Sequence, residues 1–232
     1  MSDSIKVRVY TSDVSALYAK DLFDALYLSV SDTRKNKIDS MRFQKDKCLS
    51  LGVEILLMRA CRDFGSEYKS LTCLTGSNGK PFFDNCALRF NLSHSGTKVM
   101  CIMSEAEAGC DCEKVQPVTR DIAGRFFTAS ENAALAACKD DAERQDLFYR
   151  MWTLKESFMK CTSLGFRLPL SSFSIDLVNS KPVVKNHPDA EKYSLFELEE
   201  HDGYRFAYCV KAARSLCRVE ANDIDIIQAS HA

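Results

Sequence analysis

Apolar and polar positions alternate in IKVRVY (5–10), which predicts a strand. The spacing then turns helical over 15–28 and again over 45–64. The second segment carries Leu49, Val53, Leu56, Leu57 and Ala60 on one face and stops at Gly65. Residues 76–81 read as a turn. Strands are expected over 88–92 and 98–103, with the turn SHSG (93–96) between them, and GCDCEKV (109–115) is a further strand or its end. Past Pro117, Ser130 is placed as the cap of a short helix, ASENAALAAC. A long helix is expected over 146–161, stopping at 163–165, and strands over 173–178, 193–198 and 204–211. Each half thus runs long helix, glycine stop, strands. That order predicts an α+β fold of two similar halves, 1–115 and 116–232, joined near 114–120, with the site in the cleft between them.

Composition adds boundaries to this picture. A chain of 232 residues, 46% hydrophobic and 27% charged, can bury a core without staples. The net charge of −1 provides no global field for nucleic acid or an anionic membrane, so any anion site must be local. The longest apolar runs are too short to span a bilayer, and the N-terminus lacks an apolar signal core. A cytoplasmic protein is expected. The 11 cysteines include no Cys-x-x-Cys pair and no zinc-type spacing. Most lie within apolar patterns, where cysteine acts as a small hydrophobe, so a reduced chain is expected.

Strand alternation sorts the residues of GCDCEKV. Asp111 and Glu113 share one face, and Cys110 and Cys112 the other. Two carboxylates at i, i+2 can hold a hard divalent cation, although such a pair by itself is more often a solvated face. In the long helix, Leu147, Met151, Leu154 and Phe158 form one stripe, and Glu156 and Lys160 fall nearly opposite. Read alone, Glu156 and Lys160 are a surface ion pair worth a few tenths of a kcal/mol. Tyr149 and Trp152 flank Glu156, however, and aromatic residues opposite the core stripe imply a helix covered on two sides. Glu156 and Lys160 then line a cleft, where Glu156 can complete a site with Asp111 and Glu113. His94, with Ser93, Ser95 and Gly96, makes a donor-rich segment able to hold phosphate, against the plainer reading of a histidine that bonds its own turn. Arg34, Lys35, Lys37, Arg42, Lys45 and Lys47 form a cationic stretch that is either a solvated face or a polyanion site, and Lys80 adds a cation beside a tight turn.

Taken in order, GKPFF (79–83), FNLSHSG (90–96), GCDCEKV (109–115), RFFTASE (125–131), WTLKESFMK (152–160) and LPLSSFSID (168–176) resemble the surfactin-type 4'-phosphopantetheinyl transferases. The resemblance runs from about Arg34 to Asp176. It implies a pseudo-duplicated fold with coenzyme A bound between the halves. It also implies transfer of phosphopantetheine to a serine of an acidic apo acyl or peptidyl carrier protein, releasing 3',5'-ADP. By motif, Asp111, Glu113 and Glu156 would hold Mg2+ on the pyrophosphate. Ser93 and His94 would contact the phosphates, with Lys80 near the adenine, and Arg34 and Lys37 would pair with the 3'-phosphate. Lys160 would steady the leaving group. Glu156 is the expected base, directly or through a water on the metal; a water held by Asp111 is the alternative. A monomer is expected.

Two departures stand out. The family usually has aliphatic residues where Cys110 and Cys112 stand. Many members carry an arginine in the first long helix, where this chain reads KDKCLSLG, leaving Lys45 or Lys47 as the substitute. Arg120, Arg125, Phe126 and Phe127 are candidates for carrier docking, although the two phenylalanines would serve equally as core.

Overall fold

A computed structural model describes residues 4–117, 120–178, 181–199 and 202–231. Its elements, in chain order, are β1 (Ile5–Asp13), α1 (Lys20–Tyr27), α2 (Asp32–Asp39), α3 (Gln44–Asp63), β2 (Cys73–Thr75), β3 (Pro81–Phe83), β4 (Arg89–Ser95), β5 (Lys98–Ser104) and β6 (Ala108–Lys114). There follow α4 (Arg120–Phe126), α5 (Ala129–Ala136), α6 (Asp141–Thr162), β7 (Ser174–Val178), β8 (Lys181–Lys185), β9 (Ser194–Glu197), β10 (Tyr204–Val210), β11 (Cys217–Asp223) and α7 (Ile226–His231). The chain is α+β.

Two sheets form the middle of the molecule. One has the order β11-β1-β5-β4, the other β6-β10-β9. Alternation along the strands builds the layers. Tyr10, Val99, Cys101 and Met103 face α3, with its buried Leu49, Val53, Leu56 and Leu57. Val7, Val9, Met100 and Ile102 face the second sheet, where they meet Cys110, Cys112, Phe206 and Tyr208. On the far side of that sheet, Ala207 and Cys209 pack against Leu154, Phe158 and Cys161 of α6. The layers therefore run α3, sheet, sheet, α6. Each fully buried Leu or Phe contributes about 1.5–3 kcal/mol, against a few tenths for a surface ion pair, so apolar contacts fix the register of α6.

The segments on either side of residue 115 exchange strands. β6 pairs with β10 from beyond that point, and β11 returns to lie parallel to β1.

Several expectations change. The segment 93–96 is not a turn: β4 continues through Ser95, and Ser95 pairs with Lys98 around Gly96 and Thr97 alone. Gly96 allows this at φ 60°. The cap of α5 is Thr128 rather than Ser130, because Thr128 and Glu131 form a reciprocal capping box. α6 begins at Asp141, capped by Asp140, whose side chain accepts from the Glu143 amide. The stripe expected on α6 is divided: Leu154 and Phe158 pack on the sheet, while Met151 packs with Phe127, Leu135 and Phe148. The segment 15–28 opens with a single 3-10 turn before α1. The hydrophobic pattern does not mark α2, β2, β3, α4, β8, β11 or α7. All 11 cysteines are free. Among the described residues, no helix is long and apolar enough to cross a membrane.

Candidate active site

The site is built where α6 lies close over β6. Gly109 makes the closeness possible. A Cβ there would stand 2.3 Å from the Cys161 nitrogen and the Ser157 oxygen, so any side chain would drive the helix off the strand. Past Gly109, the next two residues on the same face of β6 are Asp111 and Glu113. They meet Glu156 and Lys160 of α6 in a pocket of about 340 Å3 completed by Leu92, Ser93, His94 and Trp152. Asp111, Glu113, Glu156, Lys160, Ser93 and His94, all singled out from sequence, are brought together.

Strands β4 and β6 belong to different sheets, and side chains rather than a backbone-to-backbone ladder join them. Asn91 Oδ1 accepts from the Cys110 amide at 2.9 Å, Ser93 Oγ from the Cys112 amide at 3.4 Å, and Ser95 Oγ from the Lys114 amide at 3.1 Å. The two serines also donate to the carboxylates beside them, Ser93 to Asp111 Oδ1 at 2.9 Å and Ser95 to Glu113 Oε2 at 2.8 Å. The seam therefore orients both acids. At the hairpin tip, Tyr204 accepts from the Thr97 amide at 3.0 Å, and a Cβ on Gly96 would lie 2.1 Å from the Tyr204 hydroxyl. Tyr204 carries no signal in the hydrophobic pattern and was missed, while Ser95, expected to help hold phosphate, instead donates to Glu113; only their place in the fold gives them this work.

Charge in the pocket is unbalanced. Lys160 Nζ donates to Asp111 Oδ1 at 2.6 Å and to Ser93 Oγ at 3.2 Å. Burial works against this ammonium, yet Asp111 and then Glu156 outweigh it and hold it well above the usual lysine range. Burial pushes Glu156 up to about 7, helped by Asp111 and Glu113, against Lys160. Burial and then Asp111 also raise Glu113, while Ser95, Lys160 and Trp152 pull it down. Asp111 Oδ2 is buried without a hydrogen-bond partner. Three carboxylates facing one lysine, with an oxygen left unsatisfied, make a donor set suited to a hard divalent cation. Among the described residues, no three acids, histidines or cysteines are already gathered as a metal cluster.

The cysteines take no part. Cys110 and Cys112 lie fully buried between the sheets. Burial pushes the Cys110 thiol up to about 12 and the Cys112 thiol well above its usual range, so both remain neutral.

A larger pocket of about 760 Å3 shares Leu92 and His94 with the first and carries Arg34, Lys35, Lys37 and Lys69 on its walls. His94 is open to solvent at this junction. The surrounding protein atoms lower its pKa, and Lys160 and Lys37 lower it further.

Three expectations meet a different arrangement. Lys80 lines neither pocket: its Nζ donates to the Ala108 carbonyl at 2.8 Å and to Glu107 at 3.4 Å, because the β2–β3 hairpin turns it toward the start of β6. The cationic stretch 34–47 is divided by the α2–α3 corner. Arg34, Lys35 and Lys37 face the large pocket, Lys47 lines a separate one with Asp24 and Asp39, and Arg42 lies over the Phe43 ring. Neither Lys45 nor Lys47 reaches the His94 junction; Cys48 is buried and donates to the Leu17 carbonyl at 3.3 Å. Of the docking candidates, Phe127 is core, Phe126 packs on Trp152, and Arg125 covers the Phe126 ring. The Arg120 side chain lies outside the described residues.

Comparison with known proteins follows the same lines. The 4'-phosphopantetheinyl transferase Sfp of Bacillus subtilis (strain 168) is 33% identical over 183 residues, covering 78% of this chain and 81% of its own. This chain belongs to the 4'-phosphopantetheinyl transferase superfamily. The superfamily's model matches residues 107–209, the span that contains Asp111, Glu113, Glu156 and Lys160. A second member, 4'-phosphopantetheinyl transferase psf-1 of Bacillus pumilus, is 30% identical over 206 residues, covering 87% of this chain and 88% of its own. Among solved structures, the holo-[acyl-carrier-protein] synthase of Thermotoga maritima aligns over 47% of this chain and 64% of its own at a TM-score of 0.40 and 24% identity, too partial a match to bear on the superfamily member described here.

Proposed function

We propose that this protein transfers 4'-phosphopantetheine from coenzyme A to a serine hydroxyl of an apo carrier protein, at the wall formed by β6 and α6. The observation that carries the reading is the convergence of Asp111, Glu113, Glu156 and Lys160 in one pocket that opens beside a larger, cationic one. Membership of the superfamily supports the chemistry.

The serine oxygen forms a bond to the phosphorus bearing pantetheine, the pyrophosphate P–O bond breaks, and 3',5'-ADP leaves. The Glu156 carboxylate lines the pocket and makes no side-chain hydrogen bond among the described residues, which supports it as the base that takes the serine proton. Lys160 puts a fixed positive charge where the leaving phosphate gains negative charge. Ser93 and Ser95 hold Asp111 and Glu113 in place. Arg34, Lys37 and His94 bind the nucleotide end of coenzyme A in the larger pocket. Asp111, Glu113 and Glu156 would hold Mg2+, which when bound neutralises pyrophosphate oxygens. The orphaned Asp111 Oδ2 and the all-oxygen donor set support this assignment.

The two halves, 1–115 and 116–232, are proposed as a duplication with the site in the cleft between them. α3 precedes the β4–β5 hairpin as α6 precedes the β9–β10 hairpin, and the exchange of β6 and β11 interlocks them. Such an arrangement supplies both walls of the cleft from one chain, which supports a monomer; action in the cytoplasm on a transiently docked, acidic carrier belongs to the same proposal.

The test is incubation with coenzyme A, Mg2+ and several apo carrier proteins, each weighed by mass spectrometry. A gain of one phosphopantetheine is expected. Release of phosphopantetheine into water without a carrier would make the protein a phosphohydrolase instead, and coenzyme A binding without turnover would make it a binding module.

A further inference from the structure

Beneath the larger pocket lies a polar network whose central carboxylate the transfer chemistry leaves unused. Its centre is Glu54, in the apolar run GVEILL of α3 and only 2% exposed. Its Oε1 accepts from Ser31 Oγ at 2.9 Å and from the Tyr68 hydroxyl. Its Oε2 accepts from Arg34 Nε at 2.8 Å. Arg34 Nη1 donates to Ser50 Oγ at 3.2 Å, and the Arg34 amide donates to Ser31, the cap of α2, at 3.2 Å. Groups from α2, its cap and the turn before β2 thus converge on one carboxylate of α3.

A buried carboxylate under a cationic pocket calls for a reason. By charge alone Glu54 weakens any anion site above it, because it cancels one positive charge at short range. Its geometry does something else. The clamp uses the Nε edge of the guanidinium. Nη2 has no hydrogen-bond partner among the described residues, and Arg34 faces the pocket shared with Lys37 and His94. A long arginine chain free in solution samples many rotamers; one gripped along its Nε edge offers a planar fork in a single direction. Burial, then Glu54, pushes the Tyr68 phenol well above its usual range, so it stays a donor to the carboxylate. Lys37 is lowered by burial and then by Arg34: two cations crowd one another where an anion would relieve both.

We propose that Glu54 is a positioning residue that aims Arg34 at the 3'-phosphate of coenzyme A and so sets the preference for substrates carrying that phosphate. The inference rests on the coenzyme A reading above. The experiment compares KM and kcat for coenzyme A and 3'-dephospho-coenzyme A in the wild type, Glu54→Gln, Arg34→Ala and the double variant. Glu54→Gln is expected to raise KM for coenzyme A about tenfold, the loss of roughly one charged hydrogen bond, with kcat within about twofold. KM for the dephospho substrate stays put, so the preference shrinks. In the Arg34→Ala background, Glu54→Gln has no further effect. If Glu54→Gln keeps the wild-type preference, or tightens coenzyme A binding as charge alone requires, the proposal is overturned. Additive effects in the double variant also overturn it. Tyr68→Phe leaves the carboxylate and its charge in place and removes one of its donors. It should move KM the same way by a smaller factor, and it decides the matter if Glu54→Gln fails to fold, an unchanged preference again overturning the proposal. A wild type that shows no transfer from coenzyme A defeats the functional reading itself, and the inference with it; a wild type with a clear preference that Glu54→Gln retains defeats the inference alone.

Discussion

Helix α6 carries two lysines little more than a turn apart, each paired with a carboxylate, and the two pairs differ in what they leave over. Lys155 is fully buried. Its Nζ donates to both Glu131 oxygens at 2.8 Å and to the Phe173 carbonyl at 2.6 Å. Glu131 also accepts from the Ile175 amide at 2.8 Å and from the Thr128 amide at 2.8 Å. The Phe127 and Phe173 rings close over the ammonium. Nothing is left for a ligand. Lys160 shares one oxygen of Asp111 with Ser93, leaves the other without a partner, and faces a pocket with two further acids. The same ion-pair chemistry is saturated in one place and open in the other. Saturation makes a strut; the deficit makes a site.

Breaking the closed pair should have the largest effect on the fold. Glu131→Ala strands a buried ammonium and removes half of a capping box, and is expected to cost about 3–5 kcal/mol, measured by denaturant unfolding. Replacing both partners together, Glu131→Leu with Lys155→Met, should recover much of that loss. No recovery would mean that the pair does more than fill its space. At the open pair the balance reverses. Asp111→Ala should lower kcat at least about a hundredfold, with the melting temperature nearly unchanged, since it removes a carboxylate proposed to act at the reacting phosphates. Glu156→Ala should behave alike, and near-normal turnover in either variant would disprove the site. Gly109→Ala touches the ground between the pairs. The new methyl meets the α6 backbone, so a loss of about 1–3 kcal/mol in stability should accompany a fall in turnover as Glu156 and Lys160 move away from β6. Cys112→Val belongs to neither pair and should cost under about 1.5 kcal/mol with activity intact. A large loss of activity there would return the thiols to the chemistry.

How much of this was legible varies with the kind of residue. Alternation in GCDCEKV separated acids from thiols because strand geometry has only two faces. The ordered motifs pointed to the superfamily. Lys155 and Lys160, however, look alike within WTLKESFMK, since a helical wheel shows direction and not what stands opposite. Glu54 did leave a trace, an acid inside an apolar helical run, but its partners come from segments far along the chain and could not be read. Lys80 and the lysines near Cys48 had the right charge in the right neighbourhood of sequence, and the hairpin and the α2–α3 corner turned them elsewhere.

The sequence by itself determined the long helices, most of the strands, the apolar faces that stack four layers, and the residue types of the site, because these depend on local spacing and on burial. Tertiary structure alone decided which polar groups are satisfied. It set β4 beside β6 through side chains, let α6 settle onto Gly109, left Asp111 Oδ2 without a partner and placed Glu54 behind Arg34. Hydrogen bonding is a matter of ångströms between groups distant in the chain, and no pattern along one strand or helix encodes that separation.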